Sequence, residues 1–424
     1  MKLLFVHQNG LGQYTHLIRH FLKSPEYEVV LLTQRRDVRV PGLTVRVYAP
    51  QRPITPGIHH YLRETEAGVL NAQAVVRVAL DLRAEGFVPD IMIGHNGWGE
   101  IWYLKDVFPQ SPLLGYFEFF YRLHGADVGF DPTVPVTADD GPRLRTKNLG
   151  NLLALDCVDA GQCATLWQKS LYPARYHPLL HVVHEGIDTR TVKPDANARL
   201  RLPDGRGTLT RKDRIVTYVA RNLEPYRGFP ALMRAVPAIL AHTPEAQIVI
   251  VGGEGVSYGP PLATGQSYRE ALVAELRDQV DWTHVHFLGQ VPYATFLAVL
   301  QVSTVHVYLT QPFVLSWSLL EAMAAGCVVV GSATAPVTEV ITAGHNGLLV
   351  DFFAVDTLAR TVTDVLADPA AYGALGGNAR ATIRQHYDLA GICLPRQLAL
   401  IAGLTGQELS LAPLTVRGVA PGST

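Results

Sequence analysis

Cysteine is scarce in this sequence, which contains four cysteines among 424 residues. None of them stands in a C-x-x-C pair or in a His/Cys spacing typical of a metal site, and four are too few for a disulfide framework in so long a chain. A small secreted disulfide scaffold is therefore excluded. We expect all four cysteines to be reduced, buried and inert: Cys157, Cys163, Cys327 and Cys393.

The chain also lacks an excess of charge of either sign. Its 36 Lys and Arg residues and 37 Asp and Glu residues leave a formal net charge of -1. Because nucleic-acid binding draws most of its affinity from clustered Lys and Arg, this balance argues against a nucleic-acid partner. Hydrophobic residues make up 48% and charged residues only 17% of the chain, which is typical of a compact enzyme and excludes wholesale disorder.

Long hydrophobic runs are missing as well. No stretch approaches the ~18 uninterrupted apolar residues that a membrane-spanning helix needs. The apolar run before His7 is too short for the apolar region of a signal peptide. We therefore expect a soluble, cytoplasmic protein, and peripheral contact with the inner face of the membrane stays open.

Short apolar runs alternate with helix-length amphipathic segments along the chain. The runs are continuous, which is typical of strands covered on both faces by helices and predicts an α/β fold with parallel sheets. At roughly 150 residues per domain the length indicates two or three domains, and we expect two. The predicted strands are 2–6, 27–32, 91–94, 113–116, 214–220, 246–251, 285–288, 305–309 and 328–331. The predicted helices are 13–22 and 64–84, with others beginning at Phe229, Tyr268, Trp317 and Val337.

Two doubly wound units in tandem predict a ligand crevice that faces the carboxyl ends of both sets of strands. The boundary is expected near residues 178–184. The predicted divisions are an N-terminal Rossmann-like domain at 1–180, a C-terminal Rossmann-like domain at 181–385, a helix at 386–404 that packs back toward the N-terminal domain, and a flexible tail at 405–424. Residues 125–150, rich in Asp, Pro and Thr, are predicted to form an insertion loop near a cleft.

A glycine-containing loop at residues 9–12 follows the first predicted strand and opens a helix. Glycine at such a turn lets the backbone approach a ligand, and helix amides point at anions, so Gly10 and Gly12 are candidate ligand-binding residues. The dinucleotide fingerprint would need a further glycine where Thr15 stands. A tight strand-to-helix turn without a ligand explains the two glycines equally well.

Two arginines lie at or after the carboxyl end of the predicted strand 214–220, the first predicted strand of the C-terminal domain. Arg221 and Arg227 could clamp a diphosphate there without a metal ion, because two fixed guanidinium groups neutralise it. The alternative is a pair of solvated surface arginines. The position at the carboxyl edge of a strand favours the binding role.

The segment 312–326 contains a predicted helix start. The amides of Ser316, Trp317, Ser318 and Leu319 are expected to meet phosphate groups at this N-terminus, with Glu321 binding ribose hydroxyls. Ser318 and Glu321 also stand at the spacing of a capping box, which gives Glu321 a purely structural alternative.

His95 and Glu118 each follow a predicted buried strand. A histidine and a carboxylate at the carboxyl ends of neighbouring strands could converge on one cleft for acid–base work or hydroxyl binding, although a structural role for His95 stays open. The sequence contains no D-x-D, H-E-x-x-H or Walker A pattern. We therefore expect no catalytic metal.

A hydrolase signal is also present, because residues 255–259 match the G-x-S-x-G pattern around Ser257. That nucleophile elbow requires a helix directly after the serine. Pro260 and Pro261 follow instead, and they oppose helix continuation. A loop is the preferred interpretation.

A set of short motifs spans residues 180–360: His184-Glu-Gly-Ile-Asp188, Arg221 with Arg227, Val251-Gly-Gly253, His286-Phe-Leu-Gly289, Glu321-Ala-Met-Ala-Ala-Gly326, Glu339-Val-Ile341 and Gly344-His-Asn-Gly-Leu-Leu349. Together they resemble the donor domain of glycosyltransferase family 4, the group 1 glycosyl transferases, which are retaining enzymes of GT-B architecture with two Rossmann-like doubly wound domains facing across a cleft. The first half resembles a narrower branch through His95-Asn-Gly-Trp-Gly-Glu100, Tyr116-Phe-Glu-Phe-Phe-Tyr121 and Asp127-Val-Gly-Phe-Asp131.

The resemblance implies roles for individual residues. Arg221 and Arg227 would neutralise the donor diphosphate, with Arg227 where the family usually has Lys, and Glu321 would bind the ribose. The donor base would lie against Gly289 to Val291. Glu118 falls where related enzymes often place a histidine beside the reacting sugar. Phe313 stands where the family's paired-glutamate motif has its first Glu, so the usual carboxylate contact to the donor sugar is missing.

The resemblance thus implies a retaining glycosyltransferase with Glu118, His95, Arg221 and Arg227 as catalytic residues. The N-terminal domain would bind a carbohydrate or lipid-linked acceptor in polysaccharide or glycoconjugate synthesis. The donor would be a UDP- or GDP-sugar, and no cofactor is expected. Two alternatives stay open: a nucleotide-sugar epimerase of the same architecture and a serine hydrolase using Ser257.

Overall fold

The computed structural model describes residues 1–409; residues 410–424, most of the expected tail, lie outside the described part. The chain divides into two compact units. Within the described residues, the first unit contains Met1–Gly186 and residues 389–409, and the second contains Ile187–Asp388. The predicted divisions at 180/181 and 385/386 lie a few residues earlier. Gln397 explains the first difference, because its side-chain amide donates to the carbonyls of His184 and Glu185 and so ties them to the first unit.

The first unit is a seven-stranded parallel sheet with helices on both faces. Its strands are β1 (Lys2–Val6), β2 (Glu28–Thr33), β3 (Thr44–Val47), β4 (Ile91–His95), β5 (Leu113–Tyr116), β6 (Ala160–Cys163) and β7 (Leu180–Val182). Its helices before the boundary are α1 (Thr15–Phe21), α2 (Arg63–Ala84), α3 (Leu104–Val107), α4 (Asp140–Lys147), α5 (Leu149–Cys157) and α6 (Leu166–Leu171). The strand order is β3-β2-β1-β4-β5-β6-β7, which is doubly wound.

The second unit is a six-stranded parallel sheet with a separate antiparallel hairpin. The hairpin consists of β8 (Arg199–Arg201) and β9 (Thr208–Thr210). The sheet strands are β10 (Ile215–Asn222), β11 (Gln247–Gly253), β12 (Val285–Gly289), β13 (Val305–Tyr308), β14 (Val328–Ser332) and β15 (Leu348–Val350), in the order β12-β11-β10-β13-β14-β15. The helices are α7 (Phe229–His242), α8 (Tyr268–Glu275), α9 (Tyr293–Val302), α10 (Trp317–Ala324), α11 (Ala335–Thr338), α12 (Val355–Ala367) and α13 (Gly373–His386). A π-helical turn at Leu389–Cys393 and α14 (Leu394–Thr405) return to the first unit.

The strands of the first sheet are apolar at successive positions because both faces of the sheet are packed against other elements. In β1, Leu4 and Val6 pack into one hydrophobic cluster, whereas Leu3 and Phe5 pack into another. Successive side chains of a strand point to opposite faces, so both faces of this sheet are buried. The Leu398 and Ile401 side chains of α14 belong to the second of these clusters.

Two predicted elements differ from the structure. Residues 125–150, expected to be an insertion loop, contain α4 and the start of α5. Pro142 suggested a loop, but it lies in the first turn of α4, where a missing N–H costs no helical hydrogen bond. The helix expected from Val337 begins earlier and covers only Ala335–Thr338, with a proline in its first turn.

The cysteines are free thiols, and three of them are buried as expected. Cys157 is partly exposed, so the prediction that all four are buried is wrong for this residue. Burial raises the pKa of Cys157 to about 11 and the pKa of Cys327 to about 12. Both thiols are therefore protonated at neutral pH, which makes them weak nucleophiles.

Gly228 provides a test of local packing, because this N-cap residue of α7 has a φ of +68° and a Cβ atom there would lie 2.4 Å from Leu309 Cβ. We expect Gly228→Ala to lower the free energy of unfolding by about 3 kcal/mol or more, from left-handed strain plus overpacking. Gly344→Ala is the control: φ is +74° and no atom lies within 4 Å, so only the ~1 kcal/mol of strain should appear. Equal losses in urea unfolding would contradict the steric argument.

Candidate active site

His95 and Glu118 lie together at the carboxyl edge of the first sheet. β4 and β5 are neighbours, with His95 paired to Tyr116, so the residue two positions after Tyr116 comes close to the histidine. His95 Nε2 lies 3.7 Å from Glu118 Oε2. The His95 side chain is only 1% exposed, whereas that of Glu118 is 35% exposed and open to a ligand.

The orientation of the His95 ring is fixed by its surroundings. Its Nδ1 accepts a hydrogen bond from the Gly97 amide at 2.9 Å, so the proton of the neutral ring sits on Nε2 and faces Glu118. The ring stacks between Trp98 and Tyr116, at centroid distances of 4.5 and 5.3 Å. His95 Nε2 is buried and forms no hydrogen bond within residues 1–409. A ligand oxygen near Glu118 could supply one.

A cavity of about 90 Å³ opens beside this pair. Aromatic side chains form much of its wall: Trp98, Trp102, Phe119 and Tyr121. The Lys147 ammonium also lines it, 4.1 Å from the Tyr121 ring centroid and 3.0 Å from Glu64 Oε1. Apolar ring faces with a few convergent polar groups are typical of small-molecule sites.

The two glycines of the first loop have packing roles. Gly10, at φ +85°, donates its amide to Thr33 Oγ1 at 3.0 Å. A Cβ atom at Gly12 would lie 2.3 Å from His7 Nε2. These contacts explain both glycines as parts of a tight turn; a ligand at Gly10 and Gly12 stays a prediction.

In the second unit, the Arg227 guanidinium is buried beside the start of α10. It lies in a 3-10 turn at Pro225–Arg227, and its Nη1 donates to Thr310 Oγ1 at 2.8 Å and to the Val314 carbonyl at 2.9 Å. The same nitrogen lies 3.3 Å from the Tyr308 hydroxyl. The solvated-surface alternative is therefore wrong for Arg227. Arg221, at the end of β10, is exposed and available to a ligand.

The N-terminus of α10 is partly satisfied by the protein itself. Ser316 is the N-cap, and its amide donates to the Tyr308 hydroxyl at 2.8 Å. The Ser318 amide donates to Ser316 Oγ, and the Leu319 amide to the Ser316 carbonyl. The Leu319 side chain is fully buried, whereas Trp317 is 43% exposed. A phosphate at this helix start would have to share or displace these bonds.

Glu321 does not form the capping box that its spacing with Ser318 allowed. The helix is capped at Ser316, two residues before the position that this pairing requires. Instead, the Tyr293 hydroxyl at the start of α9 donates to Glu321 Oε1 at 2.7 Å. Burial raises the pKa of Glu321 to about 7. No signal in the sequence pairs Tyr293 with Glu321, because only the packing of α9 on α10 brings them together.

The carboxyl ends of β10, β11 and β12 form an open edge. A Cβ atom at Gly253 would lie 2.5 Å from Asn222 Oδ1 and 3.1 Å from Gln290 Nε2, so these strand ends meet. At Gly289, where φ is +66°, a Cβ atom would have no neighbour within 4 Å, whereas Val291 packs against the hydrophobic core. The predicted base contact at Gly289 to Val291 thus has free space at its first residue.

Phe313 lies in an aromatic cluster rather than at a polar site. Its ring centroid is 4.9 Å from that of Tyr258 and 5.6 Å from that of Tyr226. The Tyr258 ring also faces the Arg227 guanidinium at 5.2 Å. This edge of the second unit therefore presents ring surface where the family usually has a carboxylate, as the sequence indicated.

Ser257 lies in a loop, and no helix follows it directly, since α8 begins only at Tyr268. Its hydroxyl accepts a hydrogen bond from Asn222 Nδ2 at 2.7 Å, and its amide donates to Glu224. The nucleophile-elbow alternative is therefore wrong, and the loop interpretation is correct.

Two family profiles match the chain. Residues 25–192 match the glycosyl transferase family 4 group, and residues 205–382 match the glycosyl transferases group 1. The chain belongs to the group 1 glycosyltransferases of family 4. It is a glycosyltransferase, and the epimerase and hydrolase alternatives are not supported by its relatives.

Curated relatives of this glycosyltransferase include mannosyltransferases. A GDP-mannose-dependent alpha-(1-6)-phosphatidylinositol monomannoside mannosyltransferase of Mycolicibacterium smegmatis is 27% identical over 67% of this chain and 72% of its own length. A D-inositol 3-phosphate glycosyltransferase of Nocardioides sp. is 30% identical over 53% of this chain and 48% of its own length.

Solved structures share the fold along nearly the whole glycosyltransferase chain. A sucrose-phosphate synthase from Thermosynechococcus elongatus superposes with a TM-score of 0.69 at 17% identity, covering 96% of this chain and 100% of that one. HepE from Anabaena, in complex with UDP and glucose, gives a TM-score of 0.61 at 17% identity, covering 95% of this chain and 100% of that one. The two Rossmann-like units are therefore of the predicted GT-B architecture.

No group of three or more His, Cys, Asp or Glu side chains within residues 1–409 is arranged to hold a metal ion. The expectation of a metal-independent reaction is not decided by this arrangement and stays a prediction.

The unusual environment of Glu321 predicts a pH effect on stability. A carboxyl group with a raised folded-state pKa holds its proton better in the folded than in the unfolded chain, so its contribution falls as pH rises from about 4.5 to about 7. Glu321→Gln removes this loss and keeps an acceptor for Tyr293. We expect the variant to gain about 1–3 kcal/mol of unfolding free energy relative to wild type between pH 4.5 and pH 7.5.

The matched control is Glu245→Gln, which alters an exposed glutamate of the same unit. Urea unfolding at both pH values measures the difference. Parallel stability profiles for Glu321→Gln and wild type would rule out the raised pKa.

Proposed function

We propose that this glycosyltransferase moves a sugar from a nucleotide diphosphate donor to an acceptor hydroxyl, with retention of anomeric configuration. The observation that carries the donor assignment is the arrangement at the carboxyl edge of the second sheet. There Arg227 binds the segment before α10 while Arg221 stays exposed at the end of β10. Positive charge and a helix N-terminus thus occur at one edge, which suits an anionic diphosphate.

Stabilisation of the leaving diphosphate is the proposed source of catalysis. When the bond between sugar and phosphate breaks, negative charge grows on the diphosphate oxygens. The exposed Arg221 guanidinium can pair with that charge directly, and Arg227 adds a fixed positive charge already oriented by Thr310 and Val314. Preorganised charges need no rearrangement during the reaction, so they stabilise the transition state more than water does.

A GDP-sugar is the proposed donor, with a UDP-sugar as the competing outcome. Several curated mannosyltransferase relatives are named as GDP-mannose-dependent, whereas a HepE structure contains UDP. The free space at Gly289 suits a flat base, and the partly buried Glu321 carboxyl suits ribose hydroxyls. The Phe313 ring, in place of a carboxylate, reduces the hydrogen bonding that this edge can offer to the donor sugar.

The first unit is the proposed acceptor side. Its cavity places aromatic faces beside Glu118 and His95, and a hydroxylated ring could stack there while one hydroxyl faces the carboxylate. Named relatives act on phosphatidylinositol monomannoside or on inositol 3-phosphate, so a carbohydrate or lipid-linked acceptor is proposed. Peripheral membrane contact at the cytoplasmic face accompanies a lipid-linked acceptor; no helix within residues 1–409 has the length and apolar character to span a bilayer.

Donor binding can be tested at Arg221. We expect Arg221→Ala to weaken GDP or UDP binding at least ~10-fold in calorimetry, because a charge-assisted contact contributes about 1.5–3 kcal/mol. Arg214→Ala is the matched control, since Arg214 flanks the opposite end of the same strand. Unchanged affinity in Arg221→Ala, or equal losses in both variants, would refute the donor assignment.

A thermal-shift panel of GDP, UDP, ADP and TDP identifies the base, because bound ligand raises apparent stability.

The role of Glu118 can be tested separately. Glu118→Gln keeps the size of the side chain but loses the negative charge, so it should lower kcat at least ~100-fold, a typical contribution of an acid–base group. The dissociation constant of the nucleotide diphosphate should change less than ~2-fold, since the proposed donor site lies in the other unit. An unchanged kcat would remove Glu118 from the reaction.

A further inference from the structure

Three histidines at the carboxyl ends of strands in the first sheet share one local arrangement. His7 follows β1, His95 ends β4 and His184 follows β7. In each case the backbone amide two residues later donates to the ring Nδ1: Asn9 at 3.0 Å, Gly97 at 2.9 Å and Gly186 at 2.9 Å. An amide can only donate, so each neutral ring carries its proton on Nε2. The local backbone therefore fixes the tautomer before any tertiary contact is considered.

The Nε2–H of His7 determines how the Gln13 amide is turned. His7 Nε2 lies 2.7 Å from Gln13 Oε1, which must accept the hydrogen bond that Nε2–H donates. The Gln13 NH2 group consequently points away from His7. Burial and the neighbouring His95 ring lower the pKa of His7 to about 3, so this donor–acceptor order holds throughout the neutral range.

The Gln13 NH2 group faces Glu118. Its Nε2 lies 3.5 Å from Glu118 Oε1, while His95 Nε2–H faces Glu118 Oε2 at 3.7 Å. Each carboxylate oxygen thus faces an N–H group, one supplied from the loop after β1 and one from the end of β4. Both distances are long for hydrogen bonds, and such contacts in ligand-free catalytic sites often tighten when substrate binds.

We propose that Gln13 and His7 are positioning residues for Glu118. His7 orients the Gln13 amide, so that N–H groups of Gln13 and His95 face the two carboxylate oxygens of Glu118. These donors favour the ionised carboxylate and direct it at a substrate hydroxyl. The part of this inference that concerns sugar transfer rests on the proposed function. The orientation of the amide rests only on the geometry of the first unit. A carboxylate surrounded by donors accepts a hydrogen bond from a hydroxyl more readily than a protonated carboxyl does.

Several other ionisable groups lie near Glu118. Burial raises the pKa of Tyr14, Tyr116 and Tyr172, so all three face the carboxylate as neutral phenols. Two buried carboxyls, Glu185 and Glu100, lie close by: the Tyr116 hydroxyl donates to Glu185 and the Tyr48 hydroxyl donates to Glu100. Burial raises the pKa of Glu100. Lys147 lines the same cavity and is paired with Glu64. The series of hydrogen bonds from Asn9 through His7 to Gln13 gives Glu118 an oriented N–H donor and adds no charge.

Nuclear magnetic resonance tests the orientation without reference to activity. In full-length protein labelled with 15N-histidine and 15N-glutamine, His7, assigned through His7→Gln, should show an Nε2–H tautomer from pH 5 to pH 8. The Gln13 side-chain NH2 resonances should shift in Glu118→Gln relative to wild type. An Nδ1–H tautomer or an imidazolium at His7, or unaltered Gln13 NH2 resonances, would overturn the inference whatever the enzyme catalyses.

A matched pair of His7 variants tests the positioning role in catalysis. A glutamine side chain can place an N–H near the Nε2 position, whereas an asparagine side chain reaches only the Nδ1 position. We expect His7→Gln to keep kcat within ~3-fold of wild type, and His7→Asn and Gln13→Leu to lower it at least ~10-fold. Nucleotide diphosphate affinity should stay within ~2-fold in all three.

Gln13→Glu gives a readout that a purely structural role would not move. A second carboxylate beside Glu118 disfavours its ionised form, so the acidic limb of the kcat–pH profile should move up by about one pH unit. Equal kcat values for His7→Gln and His7→Asn, or an unmoved acidic limb, would overturn the positioning role. Absence of sugar transfer in wild-type protein would instead refute the proposed function, and the resonance experiment would still decide the orientation of Gln13.

Discussion

Parallel strand pairing is the constraint on which both candidate sites depend. Every strand pair in the two large sheets is parallel, so residues that follow different strands collect at one edge of each sheet. In the first unit this edge holds His7, His95 and Glu118, and in the second it holds Arg221 and Gly289. An antiparallel arrangement of the same strands would place successive strand ends at opposite edges and separate these groups.

The two edges differ in how they handle charge. At the first, the side chains of Gln13 and His95 present N–H groups to the Glu118 carboxylate, and backbone amides donate to the Nδ1 atoms of His7 and His95. At the second, a buried guanidinium is compensated by the Thr310 hydroxyl and the Val314 carbonyl, both neutral acceptors, so these two contacts leave its positive charge in place. Under the proposed function, the carboxylate of the first unit would face an acceptor hydroxyl, and the positive groups of the second unit would stabilise a leaving diphosphate.

Packing roles and binding roles overlap at several of these positions. Gly12 leaves room for the His7 ring, so the glycine predicted to contact a ligand also lets His7 reach Gln13. Ser316 caps α10 while its amide binds Tyr308, which also contacts Arg227. Such overlap explains why residue type alone could not separate ligand contacts from structural ones at these loops.

The sequence by itself determined the α/β class, nine of the thirteen strands of the two parallel sheets, and the positions of Arg221, His95 and Glu118 at strand ends. Apolar runs and turn residues are local signals, so they indicate strands and helices even when the residues that pack against them are unknown. Tertiary structure decided which groups meet. The pairing of Tyr293 with Glu321, the burial of Arg227 and the relay from His7 through Gln13 to Glu118 join residues on separate elements. No local pattern encodes those distances, because they arise from how helices pack on the sheets.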